Sequence, residues 1–143
     1  MLAILAVVAA QAVTPPPVIL HASKDDCEII VAIGRAKVGW GDKGPDEPLF
    51  IDGPLHDGRD YREDCPWHDL GVGDPVPGIP GKGSGFGVDK PVYGPDGATA
   101  TTQLSFTVFS DSNPRPFLQV LSCKLTKRDG RWVLDSCEQG FIT

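Results

Sequence analysis

The sequence predicts an α+β domain: an N-terminal helix packed on a curved antiparallel sheet, with a C-terminal three-strand meander, a long Gly/Pro-rich loop and two disulfides. Three observations carry that prediction. A helix-capping signature, Ser23-Lys24-Asp25-Asp26, opens an apolar stretch. Near the C-terminus, runs of alternating apolar residues flank an Asp129-Gly130 turn, the signal of a β-hairpin. Four cysteines, Cys27, Cys65, Cys123 and Cys137, follow an apolar leader, as expected of an exported chain whose thiols become disulfides.

Residues 1–12 form that leader. Their apolar run closes on Ala10-Gln11-Ala12, the small-x-small pattern cut by signal peptidases, which places cleavage between Ala12 and Val13. The run is shorter than the roughly 20 residues a bilayer-spanning helix needs. It also lacks Lys and Arg, so a buried N-terminal strand or helix is the rival reading. Residues 13–22 follow as a tether, because Pro15, Pro16 and Pro17 fix φ and donate no backbone hydrogen bond. Residues 23–143 then have the length of one domain.

Residues 23–40 are expected to be helical. Lys24, Glu28 and Arg35 then share one stripe, with Cys27, Ile30, Val31 and Val38 on one side of it. Ala32, Ile29, Ala36 and Ile33 lie on the other side. A strand competes, since Ile29-Ile30-Val31-Ala32-Ile33 is rich in β-branched residues. Residues 41–93 read mainly as loop. Residues 71–87 alone hold seven glycines and three prolines, and only Leu49-Phe50-Ile51 resembles a strand. A short helical turn over residues 66–70 is expected to carry Trp67 inward. In the last segment, Leu104, Phe106 and Val108 mark one strand, residues 117–127 a second and residues 131–137 a third.

The disulfide pairing favoured is Cys27–Cys65 with Cys123–Cys137. The hairpin register bears on the second pair. A two-residue Asp129-Gly130 turn pairs Arg128 with Arg131 and Leu125 with Leu134, which sends Cys123 and Cys137 to opposite faces. A turn with Gly130 as a bulge returns both to one face as diagonal neighbours. That spacing is wide for a disulfide, so some twist or a further bulge is still required.

Charge excludes some functions. The net charge of −6 arises entirely between residues 24 and 69, which hold 12 acidic and 6 basic residues; residues 70–143 hold seven of each. Nucleic acid and anionic membrane surfaces demand basic patches. Lys124, Lys127, Arg128 and Arg131 cluster only around one turn, where a solvated hairpin tip accounts for them.

Candidate chemistry concentrates in residues 56–69, where His56, Asp57, Asp60, Asp64, His68 and Asp69 supply imidazole and carboxylate groups suited to a divalent cation. Their spacing matches no known metal motif, and solvated charge around a cystine is the commoner explanation. No Cys-x-x-Cys is present. The run Gly78-Ile79-Pro80-Gly81-Lys82-Gly83-Ser84 fails the phosphate-loop pattern, with Val76 and Gly83 at positions needing Gly and Ser or Thr. Gly83-Ser84-Gly85-Phe86-Gly87-Val88 fails the dinucleotide pattern at Val88. Ser84 lacks the flanking frame of a hydrolase nucleophile. Trp40, Trp67 and Trp132 suit core packing better than a stacking platform.

The runs Lys90-Pro91-Val92-Tyr93, Asp96-Gly97 and Ala100, followed by residues 123–134 with Leu125, Lys127, Asp129-Gly130, Trp132 and Val133, resemble a recurring tail of exported bacterial proteins of unknown function. The resemblance covers about a third of the chain and consists mostly of hairpin mechanics. It implies a bacterial envelope or secreted protein with a curved antiparallel sheet, and it carries over no catalytic or binding residue. The expectation is therefore a non-catalytic periplasmic or secreted module that binds another envelope or secreted protein. It needs no cofactor and no membrane span once the leader is removed. An exported hydrolase using residues 56–69, with or without a metal, is the alternative.

Overall fold

The computed structural model describes residues 3–16, 18, 20–40, 49–51, 60–72, 84–110 and 113–142. Residues 3–16 belong to no helix or strand, and Ile4, Leu5, Val7 and Val8 lie exposed.

Helix α1 spans Lys24–Lys37, so the capped helix prevails over the strand. Its capping box is complete. The Ser23 hydroxyl accepts from the Asp26 amide at 3.1 Å, and the Asp26 carboxylate accepts from the Ser23 amide at 2.9 Å. Asp25 and Asp26 in the first turn and Arg35 and Lys37 in the last complement the helix dipole. Past Val38, Gly39 takes a left-handed φ of 74°, and Trp40 folds back to donate its amide to the Gly34 carbonyl. Gly34 has a second task. A Cβ there would stand 2.3 Å from the Trp40 ring.

The sheet has the order β1-β2-β4-β5-β6, with β3 paired to β4. Its strands are β1 (Leu49–Ile51), β2 (Ser84–Val88), β3 (Val92–Tyr93), β4 (Thr99–Ser110), β5 (Asn113–Arg128) and β6 (Arg131–Ile142). The last three form the expected antiparallel meander. Two features correct the sequence expectation. First, β1 and β2 pair in parallel, which their long connection permits. Second, the glycine-rich run supplies a strand: β2 lies between β1 and β4 and is laddered on both sides. Gly85 and Gly87 alternate there with the buried Phe86 and Val88, so the side chains that pack all face the core.

The core lies between α1 and one face of the sheet. Cys27, Ile29, Ile30, Val31 and Ile33 of α1 meet Phe86, Val88, Ala100, Leu104, Cys123, Leu125 and Trp132. A four-residue helix α2, Tyr61–Asp64, stands one step earlier than the helical turn expected at residues 66–70. That later stretch forms a hydrogen-bonded turn, and Trp67 is buried as expected. Residues 20–22 are not free tether. The Asp60 amide donates to the Leu20 carbonyl at 3.1 Å, and His21 forms a parallel bridge with Asp60.

The disulfides are Cys27–Cys65 and Cys123–Cys137. The hairpin turn is the two-residue form, with Arg128 opposite Arg131 and positive φ at both Asp129 and Gly130. Uninterrupted, that register separates Cys123 from Cys137. The structure inserts a bulge: Leu125 faces Leu134, but Lys124 faces Ser136, so Asp135 has no opposite residue. The extra residue brings Cys137 directly across from Cys123.

Candidate functional site

Two polar clusters surround the N-terminus of α1. In the first, the capping box positions two adjacent carboxylates. Asp26 is fully buried and accepts a hydrogen bond of 2.5 Å from the Tyr93 hydroxyl. Burial, then the nearby Asp26 carboxylate, raises the Tyr93 pKa, so this hydroxyl stays a proton donor. Asp25 points toward the last hairpin. One of its oxygens accepts from Lys127 Nζ at 2.9 Å and from Trp132 Nε1 at 3.0 Å. Burial opposes its ionisation, but these hydrogen bonds outweigh it and lower the Asp25 pKa. The Lys127 ammonium also lies 5.7 Å from the Trp132 ring centre, and Trp132 packs against Tyr93. Each charge here has an opposite charge or a dipole aimed at it. The cluster fastens helix to hairpin.

The second cluster draws on the acidic segment. Asp60 caps α2 through the Arg62 amide and pairs with the Arg62 guanidinium at 3.2 Å; the Arg62 hydrogen bond lowers its pKa. Asp64 receives His21 Nδ1 at 2.9 Å and the Ala22 amide at 2.7 Å. Donating this hydrogen bond to the Asp64 carboxylate raises the His21 pKa, and the His21 side chain is 85% exposed. Chemically this is an oriented imidazole whose Nε2 edge is left for water. Among the described residues, no hydroxyl or thiol is hydrogen-bonded to it.

Of the residues proposed for chemistry from sequence, His56, Asp57 and Lys82 lie outside the described residues. Asp60 and Asp64 are committed to joining backbone segments, while His68 and Asp69 are exposed on the turn after Cys65. Among the described residues, no group of three or more His, Cys, Asp or Glu side chains is placed to hold a metal. Trp40, Trp67 and Trp132 are each about 95% buried (4, 5 and 6% exposed), so none serves as a stacking surface. Trp40 lies against Trp67 and Phe86, and its Nε1 is the one buried side-chain polar atom without a partner among the described residues. Sequence reasoning missed His21 and the partners of Asp25 and Asp26. The Ser23-x-x-Asp26 box was the available signal; it identifies the carboxylates but not the residues they meet.

The opposite face of the meander has another character. Thr101 and Gln103 of β4, Ser122 and Lys124 of β5, and Val133, Ser136 and Glu138 of β6 are exposed on it. Registers across the strands set Thr101 beside Lys124 and Ser136, and Gln103 beside Ser122 and Glu138. No described helix covers these residues. Among the described residues, no helix is long and apolar enough to cross a membrane. No protein-family model, curated protein or solved structure matches the chain.

Proposed function

We propose that this chain is an exported, disulfide-bonded, non-catalytic binding module that presents the open face of β4–β6 to another envelope or secreted protein. The observation carrying this reading is the division of polar groups between the two faces. On the covered side, Asp25, Asp26, Tyr93, Lys127 and Trp132 are consumed in fixed contacts between elements. On the open side, Thr101, Gln103, Ser122, Lys124, Ser136 and Glu138 present hydroxyls, an amide and both signs of charge to solvent. Such a mixed polar array suits a protein surface better than a polyanion. The leader-like residues 1–12 and the two disulfides support an oxidising compartment.

A photo-crosslinking residue replacing Ser122 tests the reading in envelope extracts, with the same residue replacing Lys37 on α1 as control. Adducts specific to position 122, suppressed by Gln103→Arg, are expected; equal adducts from both positions would refute the open face as the binding surface. The His21–Asp64 pair favours a second reading, a hydrolase working beside residues 56–69, because Asp64 orients the imidazole. Hydrolysis of model esters or amides that His21→Ala abolishes would establish that reading instead.

A further inference from the structure

We propose that the Cys123–Cys137 disulfide is a redox lock on the register of β6, and that its reduction lets the strand slip by one residue as the bulge at Asp135 dissolves. The turn and the disulfide demand different registers. From Arg128–Arg131 through Leu125–Leu134 the strands follow the two-residue turn without interruption. Continued, that register would set Lys124 opposite Asp135, Cys123 opposite Ser136 and Ser122 opposite Cys137. The observed pairs beyond the bulge are Lys124–Ser136, Cys123–Cys137 and Ser122–Glu138.

The side chains of β6 beyond Leu134 do little to choose between the two. The bulged register puts Cys137 and Gln139 on the covered face; the continuous one puts Ser136 and Glu138 there. Neither set is an apolar stripe. The covered face also thins toward this end, where Leu121 is only half-buried. The bulge forfeits one residue of ladder, and Asp135 gains contacts to Arg128 and Thr126 in return. The continuous register moves the unpaired residue farther along β6 and sets Asp135 directly across from Lys124, an opposite-charge pair. A second bulge, between Val120 and Leu121, lies where the offset can be absorbed. Of the two restraints, only the covalent bond requires Cys137 to face Cys123.

The two disulfides differ in access. Cys27 and Cys65 are 1% and 4% exposed, whereas Cys137 is half-buried and Cys123 is fully buried behind it. A dithiol reductant therefore reaches Cys137 first. Its thiolate attacks Cys137 Sγ to form a mixed disulfide, and Cys123 leaves as thiolate and takes up a proton. The reductant's second thiol then displaces Cys137 and is itself oxidised, so two electrons pass to the protein. Released, β6 turns Cys137 toward the open face, where Asp135 already lies against Thr126 and Arg128, and withdraws Ser136 and Glu138 from it. The consequence for binding rests on the proposed function; the change of register does not.

The experiment treats the oxidised full chain with dithiothreitol, traps thiols with iodoacetamide and maps them by peptide mass spectrometry. Cys123 and Cys137 should be alkylated at least ~10-fold faster than Cys27 and Cys65, as access dictates. In the selectively reduced, unalkylated protein, the cross-strand Hα–Hα contact should move from Cys123–Cys137 to Cys123–Ser136 by NMR. A chain lacking Asp135 aligns the two cysteines without a bulge, so it should form the same disulfide and keep one register in both redox states. Equal reduction of both disulfides, an unchanged Cys123–Cys137 contact after reduction, or a register change in the deletion variant would each overturn the proposal. If the register shifts while the Ser122 adduct stays the same in both redox states, the lock stands and the open-face binding reading fails.

Discussion

The two disulfides secure regions of opposite construction. Cys27–Cys65 spans 38 residues and ties α1 to a segment whose described residues, 60–72, form a four-residue helix and turns. Cys123–Cys137 spans 14 residues inside a hairpin that already has a favourable turn and a ladder. Chain entropy alone ranks them closely, at about 4 and about 3 kcal/mol. The difference lies in what remains when each is cut. Around Cys65, the ties left among the described residues are side-chain packing and single hydrogen bonds: Trp67 against Trp40, the Tyr61 hydroxyl to the Phe86 carbonyl, the Asp60 amide to the Leu20 carbonyl, the Asp64 contacts to His21 and Ala22, and Arg35 to the Leu70 and Gly71 carbonyls. At Cys137 the sheet remains and only its register is released. The first disulfide supplies structure; the second selects among structures.

The largest test of that contrast is a pair of double variants. Cys27→Ala with Cys65→Ala should cost about 4 kcal/mol or more in urea unfolding, since a buried sulfur pair is lost along with the chain constraint. Cys123→Ala with Cys137→Ala should cost about 3 kcal/mol or less and leave a cooperative transition. Reversed magnitudes would break the comparison. Next come changes in the joints around α1. Gly34→Ala forces a methyl into the Trp40 ring and should cost about 1–3 kcal/mol, with a shifted tryptophan emission as the ring moves. Tyr93→Phe removes a donor to the buried Asp26 carboxylate and should cost about 1–3 kcal/mol, read by thermal unfolding.

Smaller effects follow from the charges. The pKa of Asp25 is lowered in the folded state, so its contribution is present above the unfolded value of 3.8 and is lost as pH falls through the folded one. Its side chain is 37% exposed, which holds the effect to under about 1 kcal/mol; Asp25→Asn should flatten that part of the acid unfolding curve. His21 works in the other direction. Its folded pKa is raised, so the clasp to Asp64 is fully present below 6.5 and is lost as pH rises through the folded value. Protection of the Ala22 amide, with the intrinsic pH dependence of exchange divided out, should fall across that rise, and His21→Gln should remove that fall.

Local rules made part of this fold legible. The Ser23 and Asp26 box marks where α1 begins, because its hydrogen bonds lie within four residues. Asp129-Gly130 marks the last turn for a similar reason, both residues taking positive φ. Strand β2 was illegible because Gly85 and Gly87 disfavour a strand taken alone. Its neighbours β1 and β4 supply the hydrogen bonds on both sides. The bulge at Asp135 was illegible too, since two registers satisfy the alternation of β6 about equally. Of the candidate site, the sequence showed the carboxylates but not their partners. Asp26 meets a residue 67 positions away, and Asp25 meets residues 102 and 107 positions away.

The order of pairing along the chain has a consequence for biogenesis. The first cysteine joins the second and the third joins the fourth. On the export proposed above, a chain threaded amino end first through a translocation pore would expose Cys27 and Cys65 while Cys123 and Cys137 are still inside. An oxidase that joined thiols as they emerged would then form the native bonds without an isomerase. Released chains stalled before residue 123 should already carry the Cys27–Cys65 bond, and maturation should proceed normally in cells lacking disulfide isomerase.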